Sequence, residues 1–210
     1  MFIPKCGKNP YRGPRDFRLI SLTSLLFKTT DRLVQRFLRY EILAIMPLYP
    51  NQHAYQGGKS VETDLHQFWV RVEKELDLQE TALGVFFYKE KAFNNTSYDS
   101  MCAALFKHGV DYTIIWWIRA TLEGCMAAVT LGGRFKNVAV FRRCPQGGVL
   151  SPLLWCLVAD DLIGRLNGDE IYTQGYVDDI CLLLVGKFLN TLLGHMQYCR
   201  HVVRRVWVVS

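Results

Sequence analysis

The chain has 210 residues, and 50% of them are hydrophobic, enough to bury a large core in one domain or two closely packed subdomains. No run of about 18 apolar residues occurs, and the first 18 residues are basic and contain proline, so neither a membrane span nor a signal peptide is expected. Seven cysteines form no CxxC pair, which argues against a disulfide framework and favours a reducing, intracellular compartment, the cytoplasm or the nucleus.

The net charge of +6 is unevenly distributed. Residues 1–40 hold nine lysines and arginines against two aspartates, a charge of +7, which leaves −1 for the other 170 residues. A basic end on a nearly neutral body is typical of proteins that bind polyanions such as nucleic acid. Arg32, Arg36 and Arg39 stand at helical spacing, so this part of the charge is equally consistent with a solvated helix face.

The first half of the chain is predicted to contain two helices. One runs from Ser21 or Thr23 to about Met46, where Pro47 and Pro50 end it. The other begins after a glycine-bearing loop, and one stripe of it carries apolar residues: Val61, Leu65, Phe68, Trp69, Val72 and Leu76.

The continuous apolar run Thr81–Phe87 predicts a central strand. Two shorter helices are expected at about Tyr98–Lys107 and Asp111–Leu122, and a hairpin turning at Gly132-Gly133 follows them. Ser151-Pro152 favours the start of another helix, because proline suits the first helical position.

A second hairpin is predicted from Ile171–Val177 and Ile180–Val185, with Asp178 and Asp179 at its tip. A turn allows neighbouring carboxylates to converge on a divalent cation, although aspartate is also common in ordinary solvated turns. A final helical stretch begins near Asn190. The element order predicts an α+β fold, an antiparallel sheet with helices packed on one face.

Six stretches of the chain stand out together: Ile3-Pro4-Lys5, 16–24, 52–60, Ala92-Phe93, 145–155 and Tyr176-Val177-Asp178-Asp179. A single one of them would be a weak signal, whereas the ordered set is specific. By this set, from about residue 1 to 190, the chain resembles the reverse transcriptase domain of a non-long-terminal-repeat retrotransposon of the kind found in insects.

The resemblance implies a right-hand polymerase fold of fingers and palm, with an antiparallel palm sheet and no thumb. Residues 1–80 would be a basic, fingers-like segment, 81–190 the palm and 191–210 a truncated C-terminal helix or tail. The implied activity is RNA-directed DNA polymerisation, with an RNA template, a DNA primer and deoxynucleoside triphosphates as partners.

The resemblance also implies site residues. Asp178 and Asp179 would hold two Mg²⁺ (or Mn²⁺) ions that activate the primer hydroxyl and stabilise the leaving pyrophosphate. The implied nucleotide-binding residues are Lys5, Arg18, Phe93, Gln146 and Gly147. Their local chemistry leaves alternatives open: surface charge for Lys5 and Arg18, a core aromatic for Phe93 and an ordinary turn for Gln146 and Gly147.

The chain departs from the family pattern at and after position 88, and these departures bear on activity. Tyr88 stands where the family has its first metal-binding aspartate, and a neutral phenol is a poor ligand for a hard cation. Lys89 adds positive charge, Asn94 replaces an expected aspartate, and Glu90 is not expected to substitute. The chain is therefore predicted to be an impaired or inactive polymerase domain. The alternatives are a non-catalytic nucleic-acid-binding remnant and a pseudogene fragment that folds poorly.

Overall fold

A computed structural model of the chain describes residues 2–7, 10, 13, 16–88, 93, 95–124, 126–131, 134–139 and 144–208. The helical segments are α1 (Leu25–Phe37), a π-helical turn (Leu38–Ile42), α2 (Leu43–Ile45), α3 (Val61–Asp77), α4 (Tyr98–Lys107), α5 (Tyr112–Glu123), α6 (Ser151–Gly168) and α7 (Leu189–Val208). The strands are β1 (Phe2–Pro4), β2 (Phe17–Leu19), β3 (Thr81–Tyr88), β4 (Met126–Leu131), β5 (Arg134–Ala139), β6 (Tyr172–Tyr176) and β7 (Asp179–Gly186).

The main sheet is antiparallel and has the strand order β3-β7-β6. Its central strand is β7, so the prediction that Thr81–Phe87 is central was wrong. Among the described strands, that run forms β3 at the edge of the sheet. Leu83, Val85 and Phe87 on one face are half-buried, whereas Phe86 and Tyr88 on the other face are exposed. An apolar run alone does not separate the two positions, because an edge strand also needs one buried face.

Helix α6 is the centre of the core. It is apolar on nearly all sides, as expected for a helix enclosed by other elements. Its first half packs against α4 and α5, and its second half packs against the sheet and α7. The helices α6 and α7 therefore cover the sheet face that carries Leu83, Val85 and Phe87.

Helix α3 lies against the opposite face of the sheet, where the Phe68 ring is 5.9 Å from that of Phe86, centroid to centroid. The predicted apolar stripe of this helix is therefore only partly used. Four of its members are exposed: Val61, Leu65, Trp69 and Leu76. The reciprocal hydrogen bonds of Ser60 and Thr63 fix the start of the helix independently of that stripe.

The first predicted helix begins slightly later in the chain than expected. The Ser24 hydroxyl accepts a hydrogen bond from the Phe27 amide, so Ser24, and not Ser21 or Thr23, is the cap. The structure confirms the predicted helices at α4 and α5, the pairing of β4 with β5 and the start of α6 at Ser151. The predicted turn at Gly132-Gly133 lies outside the described residues. Within the described part of the chain, no helix is both long enough and apolar enough to cross a membrane.

Candidate active site

The predicted acidic hairpin is present. Tyr176 of β6 and Asp179 of β7 are cross-strand partners, so Val177 and Asp178 form the two-residue turn between them. Asp178 is therefore at the tip, whereas Asp179 is the first residue of β7. Val177 has a φ of 55°, which is rare for a β-branched residue and costs of order 1–3 kcal/mol. Such a conformation persists only where neighbouring contacts hold it.

The Asp178 carboxylate acts on its neighbour Asp179. Burial raises the pKa of Asp179, and the negative charge of Asp178 raises it further. A divalent cation would relieve this repulsion, and one or two carboxylates with substrate phosphates are a usual Mg²⁺ ligand set. Asp178 and Asp179 could thus hold one ion. Among the described residues, no group of three or more histidine, cysteine, aspartate or glutamate side chains is arranged to hold a metal.

Tyr88 lies directly opposite Asp179 in the register between β3 and β7. Residues opposite each other in an antiparallel pair have β-carbons about 4.5–5.5 Å apart, so a carboxylate at position 88 would stand beside that of Asp179. The phenol that occupies the position is 64% exposed. The residues next along the chain, Lys89, Glu90 and Asn94, lie outside the described residues.

Gln146 and Gly147 lie in a loop that contacts the chain just after β2. The Ser21 amide donates a hydrogen bond of 2.8 Å to the Gln146 carbonyl. Gly147 has a φ of 101°, and a β-carbon there would be 3.0 Å from the Ser21 carbonyl oxygen and 3.1 Å from the Ile20 side chain. Position 147 therefore requires glycine for two reasons: its backbone conformation, and the close approach of Ser21 and Ile20.

The pairing of β1 with β2 brings Lys5 and Arg18 close together in space. Arg18 pairs with Ile3, and the Lys5 amide donates to the Asp16 carbonyl at 2.9 Å. The Arg18 side chain is exposed and that of Lys5 is half-buried. Ser21, which contacts the loop of Gln146, is three residues after Arg18. The end of β2 therefore lies next to that loop.

Phe93 connects this loop to the acidic turn. Its carbonyl accepts a hydrogen bond of 2.7 Å from the Cys144 amide, and its ring lies 6.0 Å from the Trp155 indole of α6, centroid to centroid. The indole N–H in turn donates to the Val177 carbonyl at 2.6 Å. These contacts join Phe93 to Cys144, two residues before Gln146, and through Trp155 to Val177, the residue before Asp178.

A polar cluster beside β6 was not predicted. The side-chain amide of Gln174 donates to an Asp64 carboxylate oxygen at 3.0 Å, and His53 Nε2 lies 3.9 Å from the same oxygen. Burial raises the pKa of Asp64, which the nearby His53 lowers and the Asp179 charge raises. Burial also lowers the pKa of His53. Asp64 had no sequence signal beyond an ordinary acidic residue in a first helical turn.

Tyr55 is a second strained residue near the acidic turn, with a φ of 57°. Its pKa is raised, first by burial and then by neighbours that include Asp178. Arg39 donates to the Tyr55 carbonyl at 2.8 Å, so that arginine belongs to the site scaffold and not only to a solvated face. In the sequence, only its position within the matched stretch 52–60 pointed to a role for Tyr55.

The chain matches a protein-family model described as reverse transcriptase (RNA-dependent DNA polymerase) over residues 3–207. It is 27% identical over 195 residues to the retrovirus-related Pol polyprotein from the type-1 retrotransposable element R2 of Popillia japonica, a match that covers 86% of this chain and 26% of that protein. It is 27% identical over 210 residues to the probable RNA-directed DNA polymerase from transposon BS of Drosophila melanogaster, covering 94% and 22%. The chain thus spans about a quarter of the length of these relatives.

Among solved structures, the fold is similar to that of telomerase from Candida tropicalis, a structure determined with a fragment of telomeric RNA. The TM-score is 0.59 at 8% sequence identity, and the match covers 86% of this chain and 31% of that one. At this identity, the likeness concerns the fold, which is that of polymerase fingers and palm.

Proposed function

Because the chain belongs to the reverse transcriptase (RNA-dependent DNA polymerase) family, we propose that it is the fingers and palm part of a retrotransposon polymerase whose metal site is weakened by Tyr88. The reaction is the transfer of a deoxynucleotide from its triphosphate to a primer hydroxyl on an RNA template. In this division, residues 1–80 form the fingers and 81–190 form the palm.

The observation that carries the proposal is the position of Tyr88 opposite Asp179. Asp178 and Asp179 would hold a Mg²⁺ or Mn²⁺ ion, which supplies charge neutralisation for the primer oxygen and the phosphates. A carboxylate at position 88 would complete the ligand set, and a neutral phenol with a pKa of about 10 does not. The wild-type chain is thus expected to bind the ion weakly and to polymerise slowly.

The remaining residues position the nucleotide. Lys5 and Arg18 bind the triphosphate, since an ammonium supplies a point charge and a guanidinium a bidentate fork. Phe93 lies under the sugar and excludes a ribose 2′-hydroxyl by its bulk. Gln146 and Gly147 present backbone to the nucleotide, and the hydrogen bond from the Ser21 amide to the Gln146 carbonyl holds their loop next to the end of β2.

The basic segment supports a second candidate, binding of nucleic acid without catalysis. Arg18, Arg32 and Arg36 are exposed, and residues 1–40 carry a charge of +7. Affinity for an RNA–DNA duplex should then fall steeply with added salt, and replacing Arg32 and Arg36 with alanine should reduce the salt slope by about 2. The matched control is Arg165→Ala, which removes an exposed arginine at the far end of α6 and should leave the slope unchanged.

Primer extension on an RNA template with Mg²⁺ tests the polymerase proposal. We expect little extension by the wild type, more by the Tyr88→Asp variant and none when Asp179→Asn is added to that variant. Extension by the wild type at rates typical of polymerases would refute the weakened site. Silence of Tyr88→Asp would refute the polymerase proposal for this chain. A broad, non-cooperative thermal transition would instead favour a fragment that folds poorly.

A further inference from the structure

A buried donor from outside the hairpin binds the backbone of the acidic turn. Trp155 is 1% exposed, and its indole N–H donates to the Val177 carbonyl at 2.6 Å. That carbonyl belongs to the peptide plane that ends at the α-carbon of Asp178, so its orientation fixes where the Asp178 backbone lies. Val177 is also the strained residue of the turn, with a φ of 55°.

The same indole supports the predicted sugar contact. The Phe93 ring packs on Trp155 at 6.0 Å between centroids, and Ala159 belongs to the same apolar cluster. Trp155 itself is fixed in α6, the most completely buried helix described. The indole is therefore a rigid support shared by the turn that carries Asp178 and by Phe93.

We propose that Trp155 is a positioning residue, which sets the geometry of the acidic turn through its hydrogen bond to Val177 and links that geometry to the position of Phe93. The proposal deepens the proposed function and rests on it where the metal is concerned. Trp155 acts through the backbone of the turn and contacts neither metal nor substrate. A strained turn needs such a support, because a valine released from it would return to a negative φ.

Trp155→Phe removes the N–H donor and keeps an aromatic ring. The matched control is Tyr98→Phe, which also removes one hydrogen bond from a buried aromatic side chain to a backbone carbonyl, that of Leu122, in a different part of the core. Two properties are measured for each variant. One is the affinity for Mn²⁺ alone, from the free ion seen by electron paramagnetic resonance. The other is the amide hydrogen exchange of residues 176–180 in metal-free protein.

We expect Trp155→Phe to weaken Mn²⁺ binding about fivefold, the factor that one ordinary hydrogen bond represents, and to accelerate exchange in the turn. Tyr98→Phe should leave both at the wild-type level. Adding Val177→Gly, which tolerates a positive φ, should reduce the effect of Trp155→Phe on affinity, since glycine needs less support.

Asp179→Asn first establishes whether Mn²⁺ binds at the turn. If that variant weakens Mn²⁺ binding, the proposal is overturned when Trp155→Phe binds Mn²⁺ as tightly as the wild type, whatever the exchange rates. If Asp179→Asn does not change Mn²⁺ affinity in the wild type, the metal part of the proposed function fails, and exchange in the turn alone decides the role of Trp155. If Trp155→Phe does not fold, the indole N–H signal of Trp155 in the wild type decides. Slow exchange of that proton supports the proposal, and exchange at the rate of an exposed indole overturns it.

Discussion

Replacement of Gly147 with alanine should destabilise the protein through the loop that contacts Ser21. The φ of 101° at this position is unfavourable for any residue with a β-carbon, at a cost of order 1–3 kcal/mol. The added methyl group would also lie 3.0 Å from the Ser21 carbonyl oxygen, a backbone atom that cannot rotate away. The loop or the segment after β2 must therefore shift.

Gly194 provides the matched control. It lies inside α7, and a β-carbon there would meet no atom within 4 Å. Gly194→Ala should stabilise the protein by about 0.5–1 kcal/mol, because alanine loses less backbone entropy in a helix. The same chemical change is thus expected to have opposite signs at the two positions.

Thermal unfolding followed by circular dichroism measures both effects. For a chain of this size, 1 kcal/mol corresponds to about 2–4 °C in Tm. Gly147→Ala should lower Tm by several degrees, and Gly194→Ala should raise it by a few. Equal shifts of one sign would refute the reasoning, since the loop would then tolerate a side chain as readily as the helix does.

Two other predictions concern stability. Asp31 is buried, and hydrogen bonds from the backbone amides of Leu150 and Val149, just before α6, lower its pKa against the larger, opposite effect of burial. Asp31→Ala should therefore lower the unfolding free energy by about 1–2 kcal/mol in urea titrations, and Asp31→Asn by less. Equal losses would show that the retained acceptor oxygen is irrelevant. The hydrogen bond to Asp160 raises the pKa of His108 above its ordinary 6.5, against the effect of burial. The stabilisation by this pair should therefore be complete below about pH 6.5 and lost as pH rises through the folded-state pKa. The difference in unfolding free energy between wild type and His108→Gln should shrink from pH 5.5 to pH 8.5, and a constant difference would contradict the role of the pair.

Much of the fold follows from local signals. The apolar runs around Asp178 predicted the β6–β7 hairpin, because strand period and turn chemistry act over a few residues. Ser151-Pro152 likewise predicted the start of α6. The edge position of β3 was not predictable in this way, since both edge and central strands need apolar residues and only their neighbours differ.

The candidate site likewise contains residues that a short stretch of sequence predicts and contacts that only the fold creates. The acidic pair and the departure at Tyr88 are visible in a short stretch of sequence. The support of the turn by Trp155 joins residues 22 apart, and the contact of Gln174 with Asp64 joins residues 110 apart. Such contacts depend on how helices pack on the sheet, and no local pattern encodes them.

The affinity for Mn²⁺ of the wild type, Tyr88→Asp and Tyr88→Asn tests the central claim most directly. Calcium and magnesium sites gain affinity with the charge of their ligands, so Tyr88→Asp should bind at least about tenfold more tightly than the wild type, about 1.4 kcal/mol. Tyr88→Asn, which supplies an oxygen without charge, should gain little. Equal affinity of wild type and Tyr88→Asp would contradict the claim that position 88 is the missing metal ligand.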